Sequence, residues 1–273
     1  MNSKKTNNLI SVENAQEIIF SKFKKLETIK KKLIDSSGFI LEKEIKALFD
    51  LPNKNNSAMD GFAVRHEDLE PNKSLKVVGR VGAEAITDYV LKKDEALRIM
   101  TGSGIPEGAD SVVPFEKTNN NPHKGNDFPD SVLINETVKK GDNIRLSGQD
   151  YKFGETVVKG GMLIDPPIVG AIASFGINEV SVIRKPLVSV ISTGNELVMP
   201  GDKLKEGQIY DSNSFAISAA IKNSGADFKM HRILSDNKED VDKLYEDCSQ
   251  SDLIVTIGGV SKGDFDLIRD AIS

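Results

Sequence analysis

The strongest constraint on the fold lies after Pro186, where strand-forming runs alternate with helical segments. LVSVI (187–191) is a buried-strand run ending at Ser192-Thr193-Gly194. Asp211-Ser212-Asn213-Ser214 then supplies capping residues for a helix that presents Ile217, Ala220 and Ile221 and stops at Gly225. ADFKMHRIL (226–234) forms a second strand. Asp236 and Glu239 have capping-box spacing before a helix with Val241, Leu244, Tyr245 and Cys248 on one face. LIVTI (253–257) is a third strand, followed by Gly258-Gly259 and a helix beginning near Asp264. Strand–helix alternation of this kind implies βαβ units, a parallel sheet and right-handed crossovers.

The earlier chain has a different texture. Ser11 caps an amphipathic helix with Val12, Ala15, Ile19, Phe23 and Leu26 at three- and four-residue spacing, and Lys30, Lys31 and Lys32 read as its solvated outer face. From about 50 to 160, the short runs LKVVGRV, ALRIM, SVVPFEKT, SVLINETV and ETVVKGG are separated by glycine, proline and asparagine turns, which suggests a β-rich subdomain. NNNPHKGNDFPD (119–130) has the composition of an exposed loop. Pro166 and Pro167 open a short helix that Gly176 closes. The fold expected is α/β and multidomain: an N-terminal helix plus a β-rich subdomain, then a partial doubly wound parallel domain.

Composition excludes several classes. A net charge of −5 argues against nucleic acid as the main partner, because phosphate binding needs a basic face. Cys248 is the only cysteine, so an intrachain disulfide and a cysteine-based zinc cage are both excluded. His66, His123 and His231 lie far apart, without metal-ligand spacing. The polar start MNSKKTNN lacks the apolar core of a signal peptide and no run is long enough to span a bilayer, so cytoplasmic and membrane-free is the expectation.

In an open α/β sheet, ligands bind beyond the carboxyl ends of the strands. STGNEL, LSDN and GGVSKGDFD follow the three strands and bring Glu196, Asp236, and the pair Asp264 and Asp266. In the last loop Gly258 and Gly259 allow close approach to the backbone, and free amides at a helix start attract phosphate. Acids beside such a site suit a bridging divalent cation, so phosphate plus magnesium is one reading. Helix capping and plain turning is the other. NSAMDGFAVR (56–65), RIMTGSGIPEGAD (98–110) and KGDNIRLSGQD (140–150) carry Asp60, Thr101, Arg145 and Asp150 beside glycines. Taken singly, each reads as readily as a tight turn.

Together, NSAMDGFAVR, RIMTGSGIPEGADSVV, GDNIRLSGQD, STGNELV, GQIYDSNS and GGVSKGDFD occur in the same order as in the molybdopterin molybdenumtransferase family (MoeA and the gephyrin E domain), which this chain resembles from about Ser11 onward. The resemblance implies insertion of molybdate into adenylylated molybdopterin with release of AMP. It also implies a homodimer with the site near the subunit interface, and other cofactor-biosynthesis proteins as partners. Carried over by motif, the catalytic positions are Asp60, Thr101, Glu196, Asp236 and Asp266, and Glu196, Asp236 and Asp266 suit magnesium. Arg145, Asp150, Gly258, Gly259, Ser261 and Asp264 are cofactor-binding, with Arg145 suited to a bidentate grip on phosphate or molybdate.

The resemblance implies a discontinuous dimerisation domain (1–50 and 141–183), the β-rich subdomain at 51–140, and a partial molybdopterin-binding domain at 184–273. Asn53, Lys54 and Asn55 depart from the family's usual LPPFDNSAMDG-like lead, and Lys262 stands where a small apolar residue is common. Family members continue past the GDFD helix with further strands, a lysine-bearing segment and a small β domain, so the 273 residues read as a fragment that does not complete insertion by itself. A non-catalytic gephyrin-like scaffold and a molybdopterin adenylyltransferase are the alternatives. The second is the weaker, because MDG, MTG and NIR lie outside the domain it shares.

Overall fold

Strand Leu187–Thr193 is the centre of a three-stranded parallel sheet, with Asp227–Ile233 on one side and Leu253–Ile257 on the other. This is seen in a computed structural model that describes residues 10–82, 89–119, 129–194, 196–233, 244 and 246–258. The strand order is second, first, third, so the chain reverses its direction of travel across the first strand. Right-handed crossovers in opposite directions put their helices on opposite faces, which opens a crevice between the carboxyl ends of the first and third strands.

Helix Ser212–Asn223 forms the first crossover, and Asp211 caps it by accepting a 3.1 Å hydrogen bond from the Ser214 amide. Its inward face keeps Ile217 and Ile221 of the expected three but not Ala220. Ser214 and Ser218 are buried, Ile217 and Ile221 are half-buried, and Ala220 is exposed. These four inward positions lie at the 0, 3, 4, 7 spacing of one helical stripe, with serines at the two most buried of them. Of the second crossover, Leu244 and Cys248 are buried. The Asp236–Glu239 capping box, the helix near Asp264 and most of the 119–130 loop lie outside the described residues.

Contacts divide the chain into two units: Met1–Lys43, Gly160–Ala173 and Ile177–Ser273 in one, Glu44–Lys159 and Ser174–Gly176 in the other. These cuts differ from the three-part division expected from sequence, since residues 44–50 and 141–159 group with the β-rich unit.

The first unit also holds helix Val12–Lys22, capped by Ser11 as expected, and an antiparallel sheet of Thr28–Lys32, Glu179–Ile183 and Ile40–Leu41. The helix ends at Lys22, so Lys30, Lys31 and Lys32 are strand residues and not a helix face. Strand Glu179–Ile183 buries Val180 and Val182 and supplies the apolar alternation that TIKKK lacks. No residue of the N-terminal helix is buried: Val12 and Ile19 are 70% and 53% exposed, and Phe23, just past its end, is 54% exposed. Helix Pro166–Ala173 starts at its prolines, with Asp165 accepting from the Ile168 amide.

The antiparallel and parallel sheets meet at Arg184. Its guanidinium forms a bidentate pair with Asp252, 2.6 Å in each arm, and an ion pair with Glu27. Asp252 also accepts from the Leu187 amide at 2.8 Å. These bonds, the Arg184 pair foremost, hold the Asp252 carboxyl below the ordinary carboxylate range against the opposing effect of burial.

The second unit is built on a five-stranded sheet in the order Ser111–Pro114, Gly61–Val64, Glu95–Ile99, Lys73–Val81, Ser131–Ile134. All pairings are antiparallel except that of Lys73–Val81 with Glu95–Ile99. Both faces are covered. Phe62, Val64, Leu75, Ala96, Val113 and Val132 form the core on one side, and Ala63, Val81, Leu97, Ile99 and Val112 form it on the other. Burial of both faces explains why strands such as GFAV read as continuous apolar runs and not as alternating ones. Among the described residues, no helix is long and apolar enough to cross a membrane.

Candidate functional site

In the β-rich unit, three separate motifs are drawn together by backbone hydrogen bonds. The segment Asn55–Ala58 runs between two glycine-rich turns. On one side the Gly102 amide donates to Ser57 O, the Ser57 amide to Ser103 O, and the Ile105 amide to Asn55 O. On the other side, Asn56–Ser57 pairs with Ile144–Arg145 and the Ala58 amide donates to Asn143 O. Asn55, one of the departures from the family pattern, has a structural task here: its Oδ1 accepts from the Ser147 amide at 2.9 Å. Nothing in the structure explains Asn53 or Lys54.

The sequence then turns sharply. Buried Ser57 donates its hydroxyl to Met59 O at 2.5 Å, and Asp60 emerges at the rim of the five-stranded sheet. Gly61 follows because its sheet neighbour Ser111–Pro114 runs close against it: an added Cβ would lie 2.1 Å from the Val113 carbonyl oxygen. Asp60 is exposed, and one of its oxygens accepts both the Thr101 amide, at 2.7 Å, and the Thr101 hydroxyl, at 2.8 Å. These two bonds, the backbone one first, hold the Asp60 carboxyl below its ordinary value. Burial opposes them, and the positive charge of Arg98 adds to them. The result is a fixed carboxylate with one oxygen still available to a ligand.

Arg145 and Asp150 form an ion pair with each other, both partly exposed. The guanidinium expected to grip an anion is therefore already oriented by a carboxylate, and an anion would have to share or displace that partner. Gln149 accepts from the Leu146 amide at 3.0 Å and closes the turn between them.

The second cluster lies at the crevice of the parallel sheet. Strand Leu187–Thr193 ends at Gly194, whose φ is +149°, and the Glu196 carboxylate folds back over it, with both oxygens 2.7 Å from where a Cβ would stand. The third strand ends at Gly258, φ +83°, where a Cβ would come 3.0 Å from Thr193 Oγ1 and 3.2 Å from Thr193 O. Glycine at both strand ends thus leaves room for the Glu196 carboxylate over one and for Thr193 against the other, and these two residues supply exposed and half-exposed oxygens at the mouth of the crevice. Leu197–Val198 is tied to Ile209–Tyr210 in parallel, and the Ile209 amide donates to Glu196 O, so the loop is anchored through its backbone. Asp236, Gly259, Ser261, Asp264 and Asp266 fall outside the described residues, as does Lys262. Among the described residues, no three or more His, Cys, Asp or Glu side chains are gathered as metal ligands.

Thr193 and Arg98 were not singled out from sequence. Thr193 could have been found as the last residue of the first parallel strand; Arg98 gives no signal beyond standing in RIMTG.

The family described as "MoeA N-terminal region (domain I and II)" matches residues 10–176, and that described as "Probable molybdopterin binding domain" matches 189–273. The chain belongs to the MoeA family. Among the MoeA relatives, a molybdopterin molybdenumtransferase of Staphylococcus epidermidis is 37% identical over 267 residues, and one of Staphylococcus aureus is 34% identical over 269. Each comparison covers 96% of this chain and 62% of the relative, so the chain spans about 62% of the length of these MoeA relatives. The crystal structure of the molybdopterin biosynthesis MoeA protein from Pyrococcus horikoshii OT3 superposes with a TM-score of 0.79 at 27% identity, covering 92% of this chain and 66% of that one. A second Pyrococcus MoeA structure gives 0.73 at 32% identity, covering 94% and 65%.

Proposed function

We propose that this chain is the N-terminal and central part of a molybdopterin molybdenumtransferase, which inserts molybdate into adenylylated molybdopterin and releases AMP. The observation that carries the reading is the presence, in order on one chain, of the MoeA N-terminal match, which holds the Asp60–Thr101 contact, and the molybdopterin-binding match, which holds Glu196 at a strand end. An adenylyltransferase would need only the second, and would leave the woven loops around Asp60, Thr101 and Arg145 without a task.

In this reading Asp60 stays ionised and receives a positive or hydrogen-bonding part of the substrate, with Thr101 fixing the direction of its free oxygen. Arg145, held by Asp150, faces an anionic group. At the parallel sheet the crevice between Gly194 and Gly258 admits a flat or phosphorylated ligand close to the backbone. Oxygen donors at that crevice suit a hard cation, and Glu196 would hold magnesium, with Asp236 and Asp266, which follow the second and third strands in sequence, as the other expected ligands. Magnesium bound there would neutralise phosphate charge and polarise a phosphoryl oxygen. Glu196 itself, anchored through its backbone to Ile209, holds its carboxylate over Gly194. The protein acts as a cytoplasmic homodimer. The uncovered apolar face of helix Val12–Lys22 supports that view, because an amphipathic helix without a buried residue needs a surface to cover it.

The test is molybdate-dependent release of AMP from adenylylated molybdopterin, measured with a chain of the full length of the relatives and compared with its Asp60→Asn and Glu196→Gln variants. Release by the parent and its loss in both variants is the expected result. A folded, full-length parent that binds the substrate but releases no AMP would favour the scaffold alternative.

A further inference from the structure

Arg98 has no role in the motif pattern, yet the sheet register puts it beside Asp60. Gly61 pairs with Ile99 and Phe62 with Arg98, so Asp60 lies at the end of its strand opposite Met100. Arg98 is then the diagonal same-face neighbour of Asp60, about 7–8 Å away between backbones and within reach of a long side chain. The guanidinium is not left to wander. Its central carbon stands 5.1 Å from the centroid of the Phe115 ring, which packs edge-on to Phe62. The amide of the same Phe115 donates to the Asp60 carbonyl at 3.2 Å. One aromatic residue therefore fixes the position of the cation through its ring and the position of the aspartate through its backbone.

We infer that Arg98 is a positioning residue for Asp60: stacked on Phe115, it holds a permanent positive charge on the same face and keeps the carboxylate ionised and turned toward Thr101. This rests on the proposed function, in which Asp60 touches substrate. Arginine suits the task better than lysine because its planar group stacks on a ring; either side chain would keep its charge at every pH where Asp60 titrates. The lowered ionisation range of Asp60 agrees, since Arg98 contributes after the two Thr101 bonds.

The experiment is a carbon-detected NMR titration of the Asp60 carboxyl in the 273-residue chain, with Asp60→Asn used for assignment. Arg98→Gln should move the Asp60 midpoint up and Arg98→Lys should return it most of the way, with the Thr101 amide resonance titrating at the same midpoint in each. In the unmodified chain, high salt should move the midpoint up as well, because salt screens the charge but not the hydrogen bonds. This arm needs no variant to fold. Superimposable curves for parent and Arg98→Gln, or for low and high salt, overturn the inference. In the full-length enzyme, the acid limb of the kcat/KM profile should move with the midpoint in Arg98→Gln and return in Arg98→Lys. A shifted titration with an unmoved limb overturns the catalytic part. A parent with no AMP release defeats the proposed function instead, and the titration still decides what Arg98 does.

Discussion

Replacing Gly61 by alanine separates the structural from the ligand-binding meaning of the MDG motif. The new Cβ would stand 2.1 Å from Val113 O, 2.8 Å from Val113 C and 2.9 Å from Pro114 Cα, whereas ordinary contact begins at 3.4 Å. The gap is 3.4 less 2.1, about 1.3 Å, and only backbone can supply it. Strand Ser111–Pro114 must move away from Gly61–Val64, loosening the ladder at Gly61↔Pro114 and Phe62↔Val113. Overpacking of this kind costs about 1–3 kcal/mol, and a loosened ladder bond adds about 1 kcal/mol. A loss of about 3 kcal/mol follows, near the top of the overpacking range because the obstacle is backbone. At about 4 °C per kcal/mol for a unit of this size, the melting temperature falls by about 12 °C. The assay is differential scanning calorimetry of parent, Gly61→Ala and Gly104→Ala. A Cβ on Gly104 meets nothing within 4 Å, so that variant should melt like the parent. A fall of less than about 3 °C in Gly61→Ala, below one kcal/mol on the same scale, would refute the steric account. So would an equal fall in both variants.

Three further outcomes are expected. Glu196→Gln should leave thermal stability within about 0.5 kcal/mol, since the side chain is exposed and its loop is held by backbone, while AMP release by the full-length protein falls on the order of a hundredfold; matched losses would favour a structural role. The depressed Asp252 carboxyl contributes stability that is complete above its unfolded value, about 3.9, and is lost as pH falls through the folded one. Melting curves from pH 5 downward should therefore drop less steeply in Asp252→Asn than in the parent, and parallel curves would remove Asp252 from the account. Ile19→Asp with Phe23→Asp should weaken self-association on the order of a hundredfold if both side chains are covered in the dimer, at about 1.5 kcal/mol each; sedimentation equilibrium showing an unchanged dimer would place the contact elsewhere.

The parallel sheet was legible because LVSVI and LIVTI are compact β-branched runs and the Asp211–Ser214 run offers helix caps, of which the structure uses Asp211. The ladder registers confirm what LVSVI, ADFKMHRIL and LIVTI imply. Strand Thr28–Lys32 was not legible. Its alternation is carried by lysines, and its place is set by a partner about 150 residues away. The same applies to the site. Asp60 and Thr101 are 41 residues apart, and the weave of Asn55–Ala58 between two turns is made of backbone bonds that leave no periodic trace. For helix Ser212–Asn223, Ile217 and Ile221 lie inward as expected, but the most buried positions are Ser214 and Ser218, which an apolar pattern does not mark, while Ala220 is exposed.

Arg184 directly follows strand Glu179–Ile183, Glu27 directly precedes Thr28–Lys32, and Asp252 directly precedes Leu253–Ile257. One guanidinium is thus knotted to the ends of three strands in two sheets. The short passage 184–186 looks like the natural hinge between those sheets, but swivelling there would tear three charge-assisted bonds at once. The knot makes the joint rigid. A pull on the antiparallel sheet is transmitted to the base of the parallel one, and the mouth of the crevice, at the far ends of those strands, is carried along with it.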